Sequence, residues 1–423
     1  MFYRWLFFIL LIIITQWYCF QSIKTVFQNK LIWLIYCIIS FGIIGNFIFQ
    51  ALSYDRSEGF NHAMSYSLGF FISLFIFQAI IIISLFFEDI IRIPQAIYSL
   101  FNQGFNGQEY FPQRRKFLSQ IALIMASIPF GALLYGMYRG KYNYKVMSYE
   151  IEFDDLPNSF DGFTISHISD IHCGSFDNYE KVKYGIELIN KQKSDVIMFT
   201  GDIVNNISAE LDTWKDLFSE LTAKHGIYSV LGNHDYGDYM QWNSDEEKIK
   251  NFENLKKIQQ KMGFRLLLNE NDSIRKGDET ITIVGVENWG AGGFKKAGDL
   301  KKATSGLSSK EFKILLSHDP SHWNAEVTPS ENYFPLTLSG HTHGMQFGID
   351  IPGWIKWSPI KWRYPQFAGL YKKAKEYLYV NRGFGYLAYP GRVGMWPEIT
   401  VITLKKRVLM FNKKNPILAL ESK

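Results

Sequence analysis

The sequence predicts a layered α/β domain carried behind a four-helix membrane region, and three observations carry that prediction. Mean hydropathy over the 423 residues is −0.07, but the average joins two unlike halves. Residues 1 to about 138 are dominated by long apolar runs, whereas residues from about 146 onward hold nearly all the acidic side chains. In the second half, short apolar runs rich in branched or aromatic residues alternate with amphipathic helical patterns. Five of those stretches end in side chains able to bind a metal, in one recurring order.

The apolar runs at roughly 5 to 20, 31 to 52, 64 to 87 and 117 to 137 approach or exceed the ~20 residues a helix needs to cross a bilayer. The first run could instead be a cleaved signal peptide, but no small-residue cleavage site stands near Thr15 to Gln21, so four helices are expected. Inside the runs the polar residues are uncharged, such as Gln16, Asn46, Gln50 and Gln78, which suits an anchor better than an ion pathway. Lys24, Lys30, Arg92, Arg114, Arg115 and Lys116 fall on one side of a four-helix arrangement, against Arg4, Arg56, Arg139, Lys141 and Lys145 on the other. This small excess, and the similarity of Gln113 to Leu118 to a twin-arginine export signal, place the second half outside the cytoplasm. The other reading of the arginine pair is a basic anchor flanking a membrane helix. Cys19, Cys37 and Cys173 give no disulfide framework, and a net charge of +5 identifies no polyanionic partner.

The runs Phe163 to Ile168, Asp195 to Phe199, Ile227 to Leu231, Phe312 to Leu316 and Pro335 to Leu338 suit buried strands. Helical patterns lie between them: Val182, Ile186 and Ile189; Leu211, Trp214, Phe218 and Leu221; and a segment opened by Ser244 with Glu247 three residues later, a capping box. Each strand stops at a motif. The motifs are Ser169, Asp170, Ile171, His172; Thr200, Gly201, Asp202; Gly232, Asn233, His234, Asp235; Ser317, His318, Asp319; and Gly340, His341, Thr342, His343, Gly344. Functional groups collect at the carboxyl ends of strands in open α/β sheets, so motifs about 30, 30, 85 and 25 residues apart can converge. Taken singly, an aspartate after a strand or a Gly-Asp pair is an everyday turn. In series, holding five of the nine histidines, they point to a site for two metal ions.

The series resembles the calcineurin-like metallophosphoesterase superfamily, whose Asp-x-His, Gly-Asp, Gly-Asn-His-Asp or Glu, His and Gly-His-x-His blocks are all met here. The resemblance covers about residues 147 to 412. It leaves 1 to 138 as the transmembrane region, 139 to 146 as a linker and 413 to 423 as a tail. With its membrane helices the chain is similar to bacterial membrane-anchored phosphohydrolases, which implies a multi-pass protein of a bacterial plasma membrane. The implied fold is two packed β-sheets flanked by helices, with Thr280 to Val284, Tyr377 to Val380 and Glu398 to Leu404 supplying the second sheet. The resemblance places one metal on Asp170, His172 and His343 and the other on Asn233, His318 and His341, with Asp202 bridging both. These donors suit Mn, Fe or Zn. The implied reaction is attack on phosphorus by a hydroxide held between the ions, with His234 giving a proton to the leaving oxygen and Asp235 orienting His234.

The remaining candidates have blander readings. Cys173 is expected to pack rather than bind metal, and His62, His167, His225 and His322 match no block. Arg382 and Arg392 are expected to be solvated, with a phosphate contact as the other possibility. Trp354, Lys356, Trp357, Lys361, Trp362, Arg363 and Tyr364 interleave aromatic and basic residues in a way that suits a bilayer headgroup region. Single-stranded nucleic acid or a flap with buried tryptophans would use the same mixture. With the last membrane helix only about ten residues from the domain, the membrane is preferred and no nucleic acid partner is expected. The predicted function is hydrolysis of a phosphomonoester or phosphodiester, lipid-associated. Two other readings are a pyrophosphatase for a UDP-linked lipid precursor at the cytoplasmic face, and a non-catalytic membrane-anchored binding protein. The sequence does not give the oligomeric state.

Overall fold

The computed structural model describes residues 2–57, 59–103, 112–351 and 353–407; the expected tail, 413 to 423, lies outside the described residues. Four long helices come first: α1 (Phe2–Val26), α2 (Lys30–Leu52), α3 (His62–Gln103) and α4 (Pro112–Tyr138). All four contain a stretch long and apolar enough to cross a membrane: Ile9–Val26, Lys30–Leu52, His62–Ile91 and Gln113–Tyr138. Asn29 caps α2 by accepting from the Leu31 amide at 2.8 Å, and Pro112 opens α4, where a missing N–H costs nothing. α3 is longer than its apolar run. At 1.5 Å per residue its 42 residues span about 63 Å, and its membrane stretch takes in Glu88 and Asp89, just beyond the apolar run at 64 to 87. Arg115 on α4 meets them at 2.6 and 2.8 Å, so one member of the arginine pair ties α4 to α3. Cys19, Ile81, Leu85, Ala122 and Ala126 form the packed centre of the helices.

The domain then winds through β1 (Lys145–Phe153), β2 (Thr164–Ile168), α5 (Tyr179–Lys191), β3 (Val196–Phe199), α6 (Lys215–Phe218), β4 (Ile227–Ser229), α7 (Asp245–Lys261) and β5 (Phe264–Leu266). It continues with β6 (Glu270–Lys276), β7 (Glu279–Gly285), α8 (Leu300–Ala303), β8 (Lys313–Leu316) and β9 (Leu336–Ser339). A small hairpin, β10 (Ile349–Ile351) and β11 (Ile355–Trp357), precedes β12 (Gly369–Lys373), β13 (Glu376–Val380) and β14 (Glu398–Lys406). Among the described residues the main strands form two six-stranded sheets, ordered β1-β14-β2-β3-β4-β5 and β12-β13-β9-β8-β7-β6. β2 to β5 run parallel, as do β7, β8, β9 and β13.

Side-chain alternation builds the layers. Val196 and Met198 of β3, with Ile165, face Ile283, Ile314, Leu316 and Leu338 in a core between the sheets. Ile197 and Phe199 turn the other way, onto Val182 and Ile186 of α5 and Leu255 of α7. On the far side, Val284, Leu315 and Val380 pack beneath Leu300, Trp323 and Phe334. The result is two packed sheets flanked by helices, as expected. One strand is placed differently: Glu398 to Leu404 was expected in the second sheet, but β14 lies in the first, parallel to β1 and antiparallel to β2. An alternating apolar strand serves either sheet equally well, so its pattern does not name its partner. The pattern Leu211, Trp214, Phe218, Leu221 is buried as expected, but it folds as a 3-10 turn, Ser208–Leu211, plus the single turn of α6 rather than as one helix.

Candidate metal centre

The motif loops leave the carboxyl ends of β2, β3 and β4 in one sheet and β8 and β9 in the other, so both sheets contribute to one site. Five residues named as ligands have left-handed backbones, with φ of 50° at Asp170, 47° at His172, 60° at Asp202, 72° at His341 and 50° at His343. Such conformations cost free energy in non-glycine residues and concentrate at functional sites. The neighbouring glycines allow the close approach. A Cβ on Gly232 would come within 2.2 Å of Asp202 Oδ1, and one on Gly340 within 1.9 Å of Ser169 Oγ.

Two clusters result. In the first, Asp170, His172 and His343 converge: His343 Nε2 is 3.2 Å from Asp170 Oδ1 and 3.0 Å from His172 Nε2. In the second, Asp202, His318 and His341 converge: His318 Nε2 is 3.1 Å from Asp202 Oδ2 and 3.2 Å from His341 Nδ1. Asn233 Oδ1 joins this second cluster, 3.2 Å from His318 Nε2 and 2.8 Å from His341 Nδ1. Asp202 Oδ2 is also 3.6 Å from His172 Nε2, so this oxygen stands between the clusters.

The surroundings aim these donors. The Thr200 carbonyl lies 2.7 Å from His318 Nδ1, where it accepts the ring N–H and leaves Nε2 to face the cluster. Asn233 Nδ2 donates to Tyr239 Oη at 2.8 Å, which turns Oδ1 inward. His234 lines the same cavity as the clusters, its ring 4.9 Å from that of His172, with Nδ1 2.7 Å from the Asn205 carbonyl. Asp235 was expected to orient it. Instead the Asp235 carboxylate accepts the backbone N–H groups of Asp202, Ile203 and Gly232, pinning two ligand loops together. The orienting group is a backbone carbonyl, which no side-chain pattern announces.

The charge balance fits a cationic occupant. Burial disfavours ionisation of Asp202, but His318 and His234 beside it outweigh that and hold its carboxyl well below the usual range. His318 is likewise opposed by burial, yet Asp202 pushes it up to about 10. Burial drives His341 down to about 4 and His172 well below its ordinary value. Two carboxylates, an amide oxygen and four largely buried imidazoles, several with nitrogen lone pairs facing each other, form a donor set for borderline divalent cations. A cation in the second cluster would displace the proton between Asp202 and His318.

The site opens through a cavity of about 290 Å³ whose mouth is formed by Phe294, Ile360, Arg363 and Leu387. Tyr364 belongs to the site as well as to the aromatic stretch. Its hydroxyl is 2.9 Å from His341 Nε2 and 3.3 Å from the buried Asp319 carboxylate. Arg382 and Arg392 are not solvated. Arg382 is 3 % exposed and paired with Glu398 and Asp350, while Arg392 is fully buried with a guanidinium nitrogen 3.0 Å from His343 Nδ1. Neither lines the cavity. Cys173 is buried and its thiol is raised well above its ordinary value by that burial, as suits a packing residue. The tryptophans of the 354–364 stretch are not all covered: Trp354 and Trp362 are 79 % and 80 % exposed, which excludes a flap with its tryptophans buried.

Comparison with known proteins agrees with this geometry. Residues 3–141 match the family described as "Probable Calcineurin-like phosphoesterase, transmembrane domain", and residues 163–345 match "Calcineurin-like phosphoesterase". The chain is 32 % identical over 305 residues to the uncharacterized metallophosphoesterase YkuE of Bacillus subtilis, spanning 69 % of this chain and 97 % of that one. It is 28 % identical over 296 residues to a transmembrane protein with metallophosphoesterase domain from Danio rerio, spanning 68 % of this chain and 62 % of that one. An uncharacterized metallophosphoesterase of Aquifex aeolicus is 27 % identical over 65 % of this chain and 98 % of its own. With two clusters of side chains able to hold metal ions, set behind four helices long and apolar enough to cross a membrane, the chain belongs to the calcineurin-like metallophosphoesterase family and is a phosphoester hydrolase.

Proposed function

We propose that the protein hydrolyses a lipid-associated phosphomonoester or phosphodiester, using two divalent ions of the Mn, Fe or Zn type. In this reading Asp170, His172 and His343 hold one ion, Asn233, His318 and His341 the other, and Asp202 both. When bound, such a pair supplies Lewis-acid neutralisation of phosphoryl charge and acidifies water. The observation that carries the reading is Asp202 Oδ2, 3.1 Å from a nitrogen of one cluster and 3.6 Å from a nitrogen of the other.

His234 is the proton donor. Its Nδ1 is held by Asn205, so Nε2 is the nitrogen left to face a leaving oxygen. Burial lowers this imidazole below its ordinary value, and a phosphoryl anion beside it acts in the opposite direction. Asp235 acts by positioning, through the loops it clamps. Arg363 at the mouth, exposed and beside the rings of Phe294 and Tyr364, is suited to meet a substrate oxygen.

The position of the mouth favours a substrate presented from the bilayer. Leu387 on its rim precedes Ala388, whose carbonyl accepts from Ser65 Oγ at the start of α3 at 2.5 Å. Tyr389 Oη donates to the Leu133 carbonyl of α4 at 2.7 Å. The β10–β11 hairpin springs from the same place, since Gly348 and Val393 are hydrogen-bonded at 2.9 Å and Val393 adjoins α4 at Gly136. It presents exposed Ile349, Ile351, Trp354 and Ile355, a composition that suits the headgroup layer. The catalytic side is proposed to be extracytoplasmic, on the balance of basic loops.

The test uses the full chain in detergent, loaded with manganese, on chromogenic phosphodiester and monoester substrates beside Asp202→Asn. Turnover lost in the variant is the expected result, and the ratio of the two rates defines the ester class. Unchanged turnover in Asp202→Asn overturns the two-ion reading. Trp354→Ala with Trp362→Ala is expected to slow hydrolysis of a vesicle-borne phosphoester while leaving a soluble one unchanged. Equal rates on both overturn the lipid assignment alone.

A further inference from the structure

Where the membrane helices meet the domain there is a second cavity, of about 790 Å³, and none of the proposed metal ligands lines it. Its wall changes character along α4. Phe70, Leu134 and Tyr135 line the membrane end, and Tyr138 marks the limit of the apolar span. Beyond that limit the wall is polar, with Arg139, Lys141, Asp177 and Lys181.

The acidic group on this wall is already satisfied. Asp177 meets Lys141 Nζ at 2.5 Å and accepts from Tyr66 Oη at 2.5 Å and from Tyr142 Oη at 2.8 Å. Lys141 is 3 % exposed, its ammonium 4.9, 5.4 and 5.0 Å from the rings of Tyr66, Tyr142 and Tyr386. That network is a neutral floor. Arg139 and Lys181 remain, both exposed on the rim and without an ion pair among the described residues. A cavity apolar at bilayer depth, neutral at its floor and doubly cationic at its rim complements an amphiphile with a negative head. Its volume lies within the roughly 300–1,000 Å³ of ligand sites.

We propose that this cavity binds one phospholipid with an anionic headgroup, its phosphate on Arg139 and Lys181 and its acyl chains along Phe70, Leu134 and Tyr135. Such a lipid bridges the end of α4 to α5 and sets the height of the domain above the bilayer. The proposal rests on the membrane helices and the cavity, and is independent of the catalytic reading.

The experiment is native mass spectrometry of the full chain in detergent with equal amounts of dioleoyl phosphatidylglycerol and dioleoyl phosphatidylcholine. The expected result is a one-to-one phosphatidylglycerol adduct exceeding the phosphatidylcholine adduct by roughly tenfold. Arg139→Glu with Lys181→Glu removes that excess, whereas Lys191→Glu with Lys224→Glu, the same change of charge on exposed sites elsewhere, keeps it. Arg139→Gln with Lys181→Gln gives the same reading if charge reversal prevents folding. Equal adducts with the two lipids, or an excess that survives in both rim variants, overturn the proposal. Displacement of the lipid by millimolar inorganic phosphate also overturns it, because the site would then take a free anion.

Discussion

His167 is fully buried and His234 only partly so, and their neighbours give them different parts. His234 lines the cavity, and among the described residues its Nε2 has no hydrogen-bond partner, so His234→Asn is expected to retain the proposed pair of metal ions by elemental analysis. It is expected to lose about 10²–10⁴ in turnover on a phenyl ester, and far less on a nitrophenyl ester, whose oxygen leaves without a proton. Equal loss on the two esters removes the donor role. His167 faces the core between the sheets, with Nε2 2.9 Å from Thr200 Oγ1, and burial lowers it to about 4. Its folded value is thus below the unfolded one of about 6.5. Its contribution to stability is complete above pH 6.5 and is lost as pH falls toward 4, an effect of about 3 kcal/mol. Melting temperature measured from pH 7 to 4 should therefore fall less steeply in His167→Gln than in the parent protein; parallel slopes would show that His167 is not part of the acid sensitivity.

Among the elements, the loops after the strands bring the two side-chain clusters together, and the strands that lead into them were the most legible. The apolar runs ending at Ile168, Phe199, Leu231, Leu316 and Leu338 each stop where a motif starts, because a strand buried on both faces must be apolar and a loop carrying ligands cannot be. What stayed hidden depends on partners far along the chain or on backbone atoms. Arg382 looked solvated because Glu398 and Asp350, which neutralise it, lie in other strands. The Asn205 carbonyl that holds His234 has no side-chain signature at all. The glycine before Asn233 yields a direct prediction. In Gly232→Ala the new methyl meets the Asp202 carboxylate, so metal content should fall by at least tenfold in a chelator competition while the helical circular dichroism signal is kept. Tyr239→Phe, which frees the Asn233 amide to rotate, should weaken only the ion proposed for Asn233, His318 and His341, by about tenfold.

At the scale of the whole molecule, the helices are more than a tether. Ser65, Leu133, Gly136 and Arg56 all make hydrogen bonds to the domain, and Tyr135 meets Trp396 edge-on at 6.4 Å. A chain beginning at residue 143 removes Lys141 and Tyr142, both buried, and uncovers that seam. It should melt several degrees below the full protein in the same detergent; identical melting would make the seam incidental. The order of strands has a further consequence, which concerns biosynthesis. β14 is the last strand of the described domain, yet it lies between β1 and β2, whose own residues are made about 250 and 235 positions earlier. Until β14 is made, β1 has no partner in the first sheet and β2 keeps a temporary open edge, and such edges recruit foreign strands. The nascent domain needs shielding for nearly its whole synthesis.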